Sequence, residues 1–424
     1  MYFWYKFLTY LFYPFAPIYL YTRVLRKKED SSRYKEKLSK INILKKDDFL
    51  IWIHVASVGE AMGILPLIDN LLKEEKVEKI LITSITLSSA NVLKKKFIQN
   101  PKIIHQFLPL DIPILIKKFL EHWKPNLAIF VESEIWPNLI FKIDEKKIPL
   151  FLINARITKK TFARWRFLKG FSKKIFGKFH LCISSNTETE NFLKILGAQN
   201  IKNYGNLKFS SNKHNSINKL NSLFLEKIKN RKIWCAASTH SPEEILCANL
   251  HLELKKKYEN ILTIIIPRHI NRIDKINKEL LDLNIKTAVY SNFDKIDEKT
   301  DVLLVDTYGD VQKFYNVSKN VFLGKSLVHS LKTNSGQNPV EPARLGCKIF
   351  HGPNISNFVE IYNYLKNLGV TKKINDANEL NTSLVEEFEK NEDRDTKIKE
   401  KIDNYGQDIL NNVIKELKKY INNN

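Results

Sequence analysis

"IWIHVASVGE", Ile51 to Glu60, joins two kinds of pattern in one short stretch. An apolar, β-branched run over Phe49–Ala56 reads as a buried strand. The chain then turns through Ser57, Val58 and Gly59, and Glu60 falls in the first turn of a helical pattern over Ala61–Lys73. A strand that hands over to a helix is the first half of a βαβ unit. Further strands are expected at Lys79–Thr83, Leu127–Val131, Ile148–Ile153 and Leu181–Ser185, with helical patterns such as Ser88–Phe97 between them. These strands are apolar on both faces, as a parallel sheet covered by helices requires.

The pattern stops near Gly205. The polar, aperiodic stretch Ser210–Ser222 reads as a linker. A second series follows, with strands expected at Ile233–Ala237, Ile261–Ile266, Val302–Val305, Val321–Leu323 and Lys348–Phe350. The expected fold class is therefore α/β, with two doubly wound Rossmann-like domains facing a cleft. The boundaries are an anchor at 1–28, a first domain at 29–209, a linker at 210–231, a second domain at 232–374, and charged helices at 375–424 that pack back on the body. In such sheets ligands collect at the carboxyl ends of the strands.

The totals agree with two cores. The chain has 424 residues, too many for one ordinary domain, and 43% are hydrophobic, which excludes global disorder. The 69 Lys and Arg against 46 Asp and Glu give a net charge of +23. That charge suits an acidic partner, although a general richness in Lys, Asn and Ile accounts for it as readily. The four cysteines, Cys182, Cys235, Cys247 and Cys347, form no C-x-x-C pair and read as reduced, buried thiols. The first 22 residues carry one charge, Lys6, and are dominated by aromatic side chains. They read as a membrane-anchoring helix, either a span kinked at Pro14 and Pro17 or an interfacial segment. The basic stretch Arg23–Lys28 keeps the body on the cytoplasmic side, and no cleavage site for a leader follows. Aromatic residues cluster in this anchor and do not interleave with the basic ones, so stacking on nucleic-acid bases is not supported.

Chemistry was sought at the strand ends. Glu60 suits a helix start, because the dipole favours a carboxylate there and holds it ionised; it also suits a catalytic base at the mouth of a cleft. "VESEIWPNL", Val131–Leu139, sets Glu132 and Glu134 around Ser133, with Arg156 in "NARIT" as a nearby partner. "GNLKF" closes the first half and supplies Lys208. The second half is rich in turns that offer N–H groups to phosphate: Ala237–Glu244, Arg268 and His269 in "IPRH", "DTYGD" at Asp306–Asp310, "GKS" at Gly324–Ser326, and "SGQNPVEPA" at Ser335–Ala343. "GKS" lacks the upstream glycine of a P-loop. No cysteine, histidine or acidic pattern points to a metal. Acids in the first half, a nucleotide cradle in the second and a membrane tether suggest a GT-B glycosyltransferase acting on a lipid.

The set "HVASVGE", "ESEIWPNL", "NARIT", "GNLKF", "IPRH", "DTYGD", "FLGKSL" and "GQNPVEPA", in this order from His54 to Ala343, resembles the 3-deoxy-D-manno-octulosonic acid (Kdo) transferases of lipopolysaccharide biosynthesis. The resemblance implies a GT-B fold and inverting transfer of Kdo from CMP-Kdo to the lipid A precursor. The reaction would run without a metal, at the cytoplasmic face of the inner membrane. It implies that Glu60 is the general base and that Glu132 and Lys208 stabilise the transition state. Donor binding would fall to Arg268, His269, Tyr308, Gly309, Asp310, Asn338, Pro339, Val340 and Glu341. The chain departs from the family pattern in three places. Lys325 stands in a usual Gly-Gly-Ser, Gln337 replaces the histidine of a usual Gly-Gly-His-Asn after the insert "VHSLKTN", and Asp310 replaces a usual Glu. A GT-B transferase using another nucleotide sugar, and a non-catalytic basic protein that binds membranes or polyanions, are the alternatives to be weighed.

Overall fold

A computed structural model describes residues 1–41, 43, 48–97, 100–210, 220–331, 335–390 and 396–423. It divides into two compact units, residues 1–212 with 405–424 and residues 213–404. Part of the expected linker, residues 211–219, lies outside the described residues, as do 332–334 of the insert.

The first unit is built on a parallel sheet of seven strands. These are β1 (Leu50–Val55), β2 (Lys79–Ser84), β3 (Ile103–Phe107), β4 (Leu127–Val131), β5 (Leu150–Ala155), β6 (Leu181–Ser184) and β7 (Ile201–Asn203). Their order is β3-β2-β1-β4-β5-β6-β7. The second unit repeats the plan with β8 (Lys232–Thr239), β9 (Ile261–Pro267), β10 (Thr287–Val289), β11 (Val302–Leu304), β12 (Asn320–Leu323), β13 (Lys348–His351) and β14 (Thr371–Lys373). Its order is β10-β11-β9-β8-β12-β13-β14. Every pairing is parallel, for example Ile51 with Ile80 and Leu127, and Cys235 with Ile264 and Val321. The winding reverses between β1 and β4 in one unit and between β8 and β12 in the other. These are the switch points where α/β sheets open a crevice for ligands.

Each sheet has its own core. In the first, Trp52 packs on Phe119 and Phe130 at ring distances of 4.9 and 5.3 Å. In the second, Trp234, Ile265, Phe322 and Phe350 are fully buried in one cluster. Truncating such an aromatic to alanine costs about 3–5 kcal/mol. All four cysteines are free and buried. Within the first unit, the end of the helix Thr396–Asn423 returns to the sheet: Tyr420 meets Phe151 at 4.8 Å and Glu416 accepts from the Tyr204 hydroxyl at 2.9 Å.

The expected helix over Ala61–Lys73 is two helices, Val58–Gly63 and Leu65–Leu71, because Pro66 starts a new first turn. The N-terminal segment is likewise two short helices, Tyr2–Leu11 and Ala16–Leu25, separated by a 3-10 turn at Pro14. Among the described residues no helix is long and apolar enough to cross a membrane.

Candidate active site

The end of β1 fixes Glu60. Ser57 is extended and accepts the Glu60 N–H at 3.3 Å, which starts the helix. The Glu60 carboxylate reaches back to the Ala56 N–H at 2.7 Å and the Ser57 hydroxyl at 2.9 Å. This reciprocal arrangement is a variant of the capping box, with the carboxylate on the N–H before the N-cap residue. The helix-start reading is therefore correct, but the expectation that the dipole holds Glu60 ionised is overturned. Its pKa is pushed up to about 7, first by burial and then by the charge of Glu132, with a smaller push from Glu134. Two hydrogen bonds to the charged form do not offset them.

Glu132 leaves β4 in the left-handed region, at φ 59°. A non-glycine residue held there is strained, and such strain gathers at functional positions. Its carboxylate meets the Lys208 ammonium at 2.5 Å, and both side chains are nearly buried. The Arg156 backbone N–H donates to the Glu132 carbonyl at 3.3 Å. Lys208 comes from the 3-10 turn Leu207–Ser210, which is placed by the Leu207 N–H donating to Asn154 Oδ1 at 3.0 Å. Gly63 lies beside the Lys208 stem: an added Cβ would sit 3.4 Å from its Cγ. Glu60, Glu132 and Lys208 thus come together at the β1/β4 switch point.

Sequence reading did not separate the role of Glu134 from that of Glu132. Glu134 Oε2 lies 3.3 Å from His54 Nε2 and accepts from Trp136 Nε1 at 2.8 Å. His54 is fully buried and its Nδ1 lies 2.9 Å from Thr83 Oγ1. Only the alternation of β1, which points His54 to the same face as Trp52, hinted at this network.

In the second unit the expected donor residues all follow strand ends. Arg268 and His269 leave β9 and are exposed. Tyr308 is 69% exposed after β11 and Gly309 is left-handed at φ 87°. Asp310 pairs with Lys313 at 2.7 Å. Asn338 caps the short helix Val340–Arg344 through the Val340 N–H at 3.1 Å, with Pro339 before it and Glu341 in its first turn. Strands β9 and β11 are parallel neighbours, so the Arg268–His269 and Tyr308–Asp310 turns leave the same end of the sheet.

One expectation fails here. The "GKS" turn does not offer its N–H groups to a ligand. Glu243, fully buried, accepts from the N–H groups of Lys325 at 2.6 Å, Ser326 at 3.1 Å, Leu327 at 3.4 Å and His240 at 3.0 Å. A built-in carboxylate occupies that nest. Next to it, Glu244 holds Arg272 at 2.8 Å and Thr239 at 3.1 Å. Both acids resemble ordinary helix-start residues in sequence, and nothing local reveals that Glu243 ties two strand ends together.

The family model described as "3-Deoxy-D-manno-octulosonic-acid transferase (kdotransferase)" matches residues 32–211. The 3-deoxy-D-manno-octulosonic acid transferase of Rickettsia bellii is 36% identical over 360 residues, which is 84% of each chain. A probable mitochondrial 3-deoxy-D-manno-octulosonic acid transferase of Arabidopsis thaliana is 33% identical over 362 residues, covering 84% of this chain and 80% of that one. Among solved structures, the UDP-GlcNAc 2-epimerase of Neisseria meningitidis aligns with a TM-score of 0.56 at 15% identity, over 86% of this chain and all of the other. A glycosyltransferase from Rickettsia africae aligns with a TM-score of 0.55 at 13% identity, over 89% of this chain. These two likenesses establish the GT-B-like fold. With the Rickettsia relative matched along most of its length, the chain belongs to the 3-deoxy-D-manno-octulosonic acid transferase family of glycosyltransferases.

Proposed function

We propose that the protein moves Kdo from CMP-Kdo to the acylated, phosphorylated disaccharide precursor of lipid A, with inversion and without a metal. The observation that supports this reading is that Glu60 meets the Glu132–Lys208 pair at the β1/β4 switch point of a chain in the Kdo transferase family, where burial raises the Glu60 pKa to about 7. A base in this range accepts a proton near neutral pH and still returns it.

In the proposed reaction the acceptor hydroxyl gives its proton to the Glu60 carboxylate as its oxygen attacks the anomeric carbon of Kdo. The bond from that carbon to the phosphate oxygen breaks, and CMP leaves with the electron pair. Glu132 and Lys208 fix the charge pattern around the attacking group. Arg268, His269, the Tyr308–Asp310 turn and the Asn338–Glu341 helix start hold the donor. Fixed donors of this kind contribute about 3 kcal/mol each to transition-state stabilisation.

The N-terminal helices are proposed to lie flat on the cytoplasmic face of the inner membrane. One side is fastened to the first unit: Tyr2 stacks on Phe141 at 3.8 Å, the Tyr5 hydroxyl donates to Asp111 at 2.8 Å, and Ala16 and Leu20 are buried. The other side leaves Phe3, Trp4, Ile18 and Leu25 more than 60% exposed. Phe167 is also exposed, at 88%, within a basic stretch from Lys159 to Lys174. An apolar face with a basic rim suits an anionic lipid surface.

The test is a mass measurement on the lipid after incubation with CMP-Kdo, made in situ, and a tetra-acylated disaccharide bisphosphate. Wild type is expected to add Kdo, while Glu60→Gln binds CMP and adds none. Turnover by Glu60→Gln within tenfold of wild type would remove Glu60 as the base, and no addition by wild type would remove the donor and acceptor assignment.

A further inference from the structure

Lys325 occupies a position that a lysine rarely takes. Its backbone is left-handed at φ 55°, a conformation that favours glycine. The conformation is imposed from several sides. Glu243 takes the N–H groups of Lys325, Ser326 and Leu327. The Lys325 carbonyl accepts the Gly336 N–H at 2.9 Å. Gly352 closes in so tightly that an added Cβ would lie 2.1 Å from the Ser326 carbonyl oxygen. A strained, half-buried lysine in a turn built so firmly is not an ordinary solvated side chain.

The same contacts decide what remains for an anion. Glu243 has consumed the amides of this turn, so backbone donors are not what an anion would meet there. Side chains remain, with Lys325 and Arg268 the cations among them. The rings of His240 and His269 meet edge to face at 5.6 Å, and Arg268 adjoins His269. Burial and then the Lys325 charge depress the His240 pKa, which marks Lys325 as a neighbour of this cluster. The Gly336 bond also sets residue 325 beside the Ser335–Asn338 loop, where Gln337 is neutral. The first unit offers a parallel. Glu132 is also a charged, left-handed residue just past the strand beyond the winding reversal, immediately after β4 where Lys325 stands one residue further from β12, and there it belongs to the candidate machinery.

We infer that Lys325 is a donor-binding and specificity residue, supplying at the β8/β12 switch point the cation for the donor's anionic group. The inference rests on the CMP-sugar reading of the site.

Titration calorimetry on the full chain with CMP and with cytidine tests it, in wild type, Lys325→Gly and Lys325→Gly with Gln337→His. Glycine relaxes the left-handed backbone, so Lys325→Gly is expected to melt at or above the wild-type temperature. It is nevertheless expected to bind CMP about tenfold more weakly. Cytidine affinity should not change, and the salt dependence of CMP binding should become shallower. Gln337→His should recover part of the loss at pH 6. A purely structural lysine would move melting temperature and not the difference between CMP and cytidine. Unchanged CMP affinity in Lys325→Gly overturns the inference and leaves the donor reading standing. A wild type that binds no CMP overturns both. If Lys325→Gly is misfolded, Lys325→Gln keeps the stem and gives the same comparison.

Discussion

Glu60 starts a helix and carries a raised pKa, and the two facts make opposite demands on its charge. Its pKa in the folded chain is about 7 against an ordinary 4.5. The folded state therefore binds this proton more tightly than the unfolded one. The cost to stability is absent below about pH 4.5 and complete above about pH 7. Glu60→Gln is expected to melt higher than wild type at pH 8 and to show no gain at pH 4.5, in thermal melts at both values. Activity follows the opposite sign, because the base must be ionised. The free-enzyme kcat/KM of wild type is expected to rise with pH through an inflection near 7. Removing the charge of Glu132 relieves Glu60, so the residual activity of Glu132→Gln should show this inflection at lower pH. Lys208→Met leaves the Glu132 carboxylate nearly buried and unpaired, at a cost of about 3–5 kcal/mol. Lys208→Met with Glu132→Gln should recover most of that loss in denaturant titrations; a double variant no more stable than Lys208→Met would mean that the pair is not coupled.

At the scale of elements, the ten expected strands are all present, and the four that sequence reading left out are β3, β7, β10 and β14. They are the edges of the two sheets. "IKN" in β7 and "TKK" in β14 lack the apolar run that marks a central strand, because an edge faces solvent and has only one neighbour. A tight junction lies between the ends of β12 and β13. At Gly352 an added Cβ would meet the Ser326 carbonyl oxygen at 2.1 Å and Leu327 Cα at 2.3 Å. Both are backbone atoms that cannot rotate away. Gly352→Ala should destabilise by about 1–3 kcal/mol or more, whereas Gly170→Ala, with nothing within 4 Å, should be neutral or slightly stabilising in the same melts.

For the whole molecule, the net charge of +23 and the aromatic N-terminal face combine into one expectation. Binding to vesicles that contain anionic phospholipid should weaken with salt, yet persist in part at high salt because apolar insertion is not screened. Trp4→Glu with Phe7→Glu and Ile18→Glu should abolish the flotation that persists at high salt. Flotation equal to wild type would remove the N-terminal face as the membrane contact.

The sequence alone determined the two wound sheets, because alternation of buried strands and amphipathic helices is a local property of the chain. It also determined that Glu60 and Glu132 follow strands and that Lys208 lies in the stretch closing the first half, and its ordered motifs pointed to the transferase family. Tertiary structure alone decided how their charges interact. Glu132 and Lys208 are 76 residues apart, and Glu243 and Lys325 are 82 apart. A pKa near 7 for Glu60 depends on burial and on acids from another strand. The loss of the "GKS" amides to Glu243 depends on which carboxylate the fold delivers to that turn. Hydrogen bonds and Coulomb forces act over a few ångströms of space, and only the folded chain sets those distances.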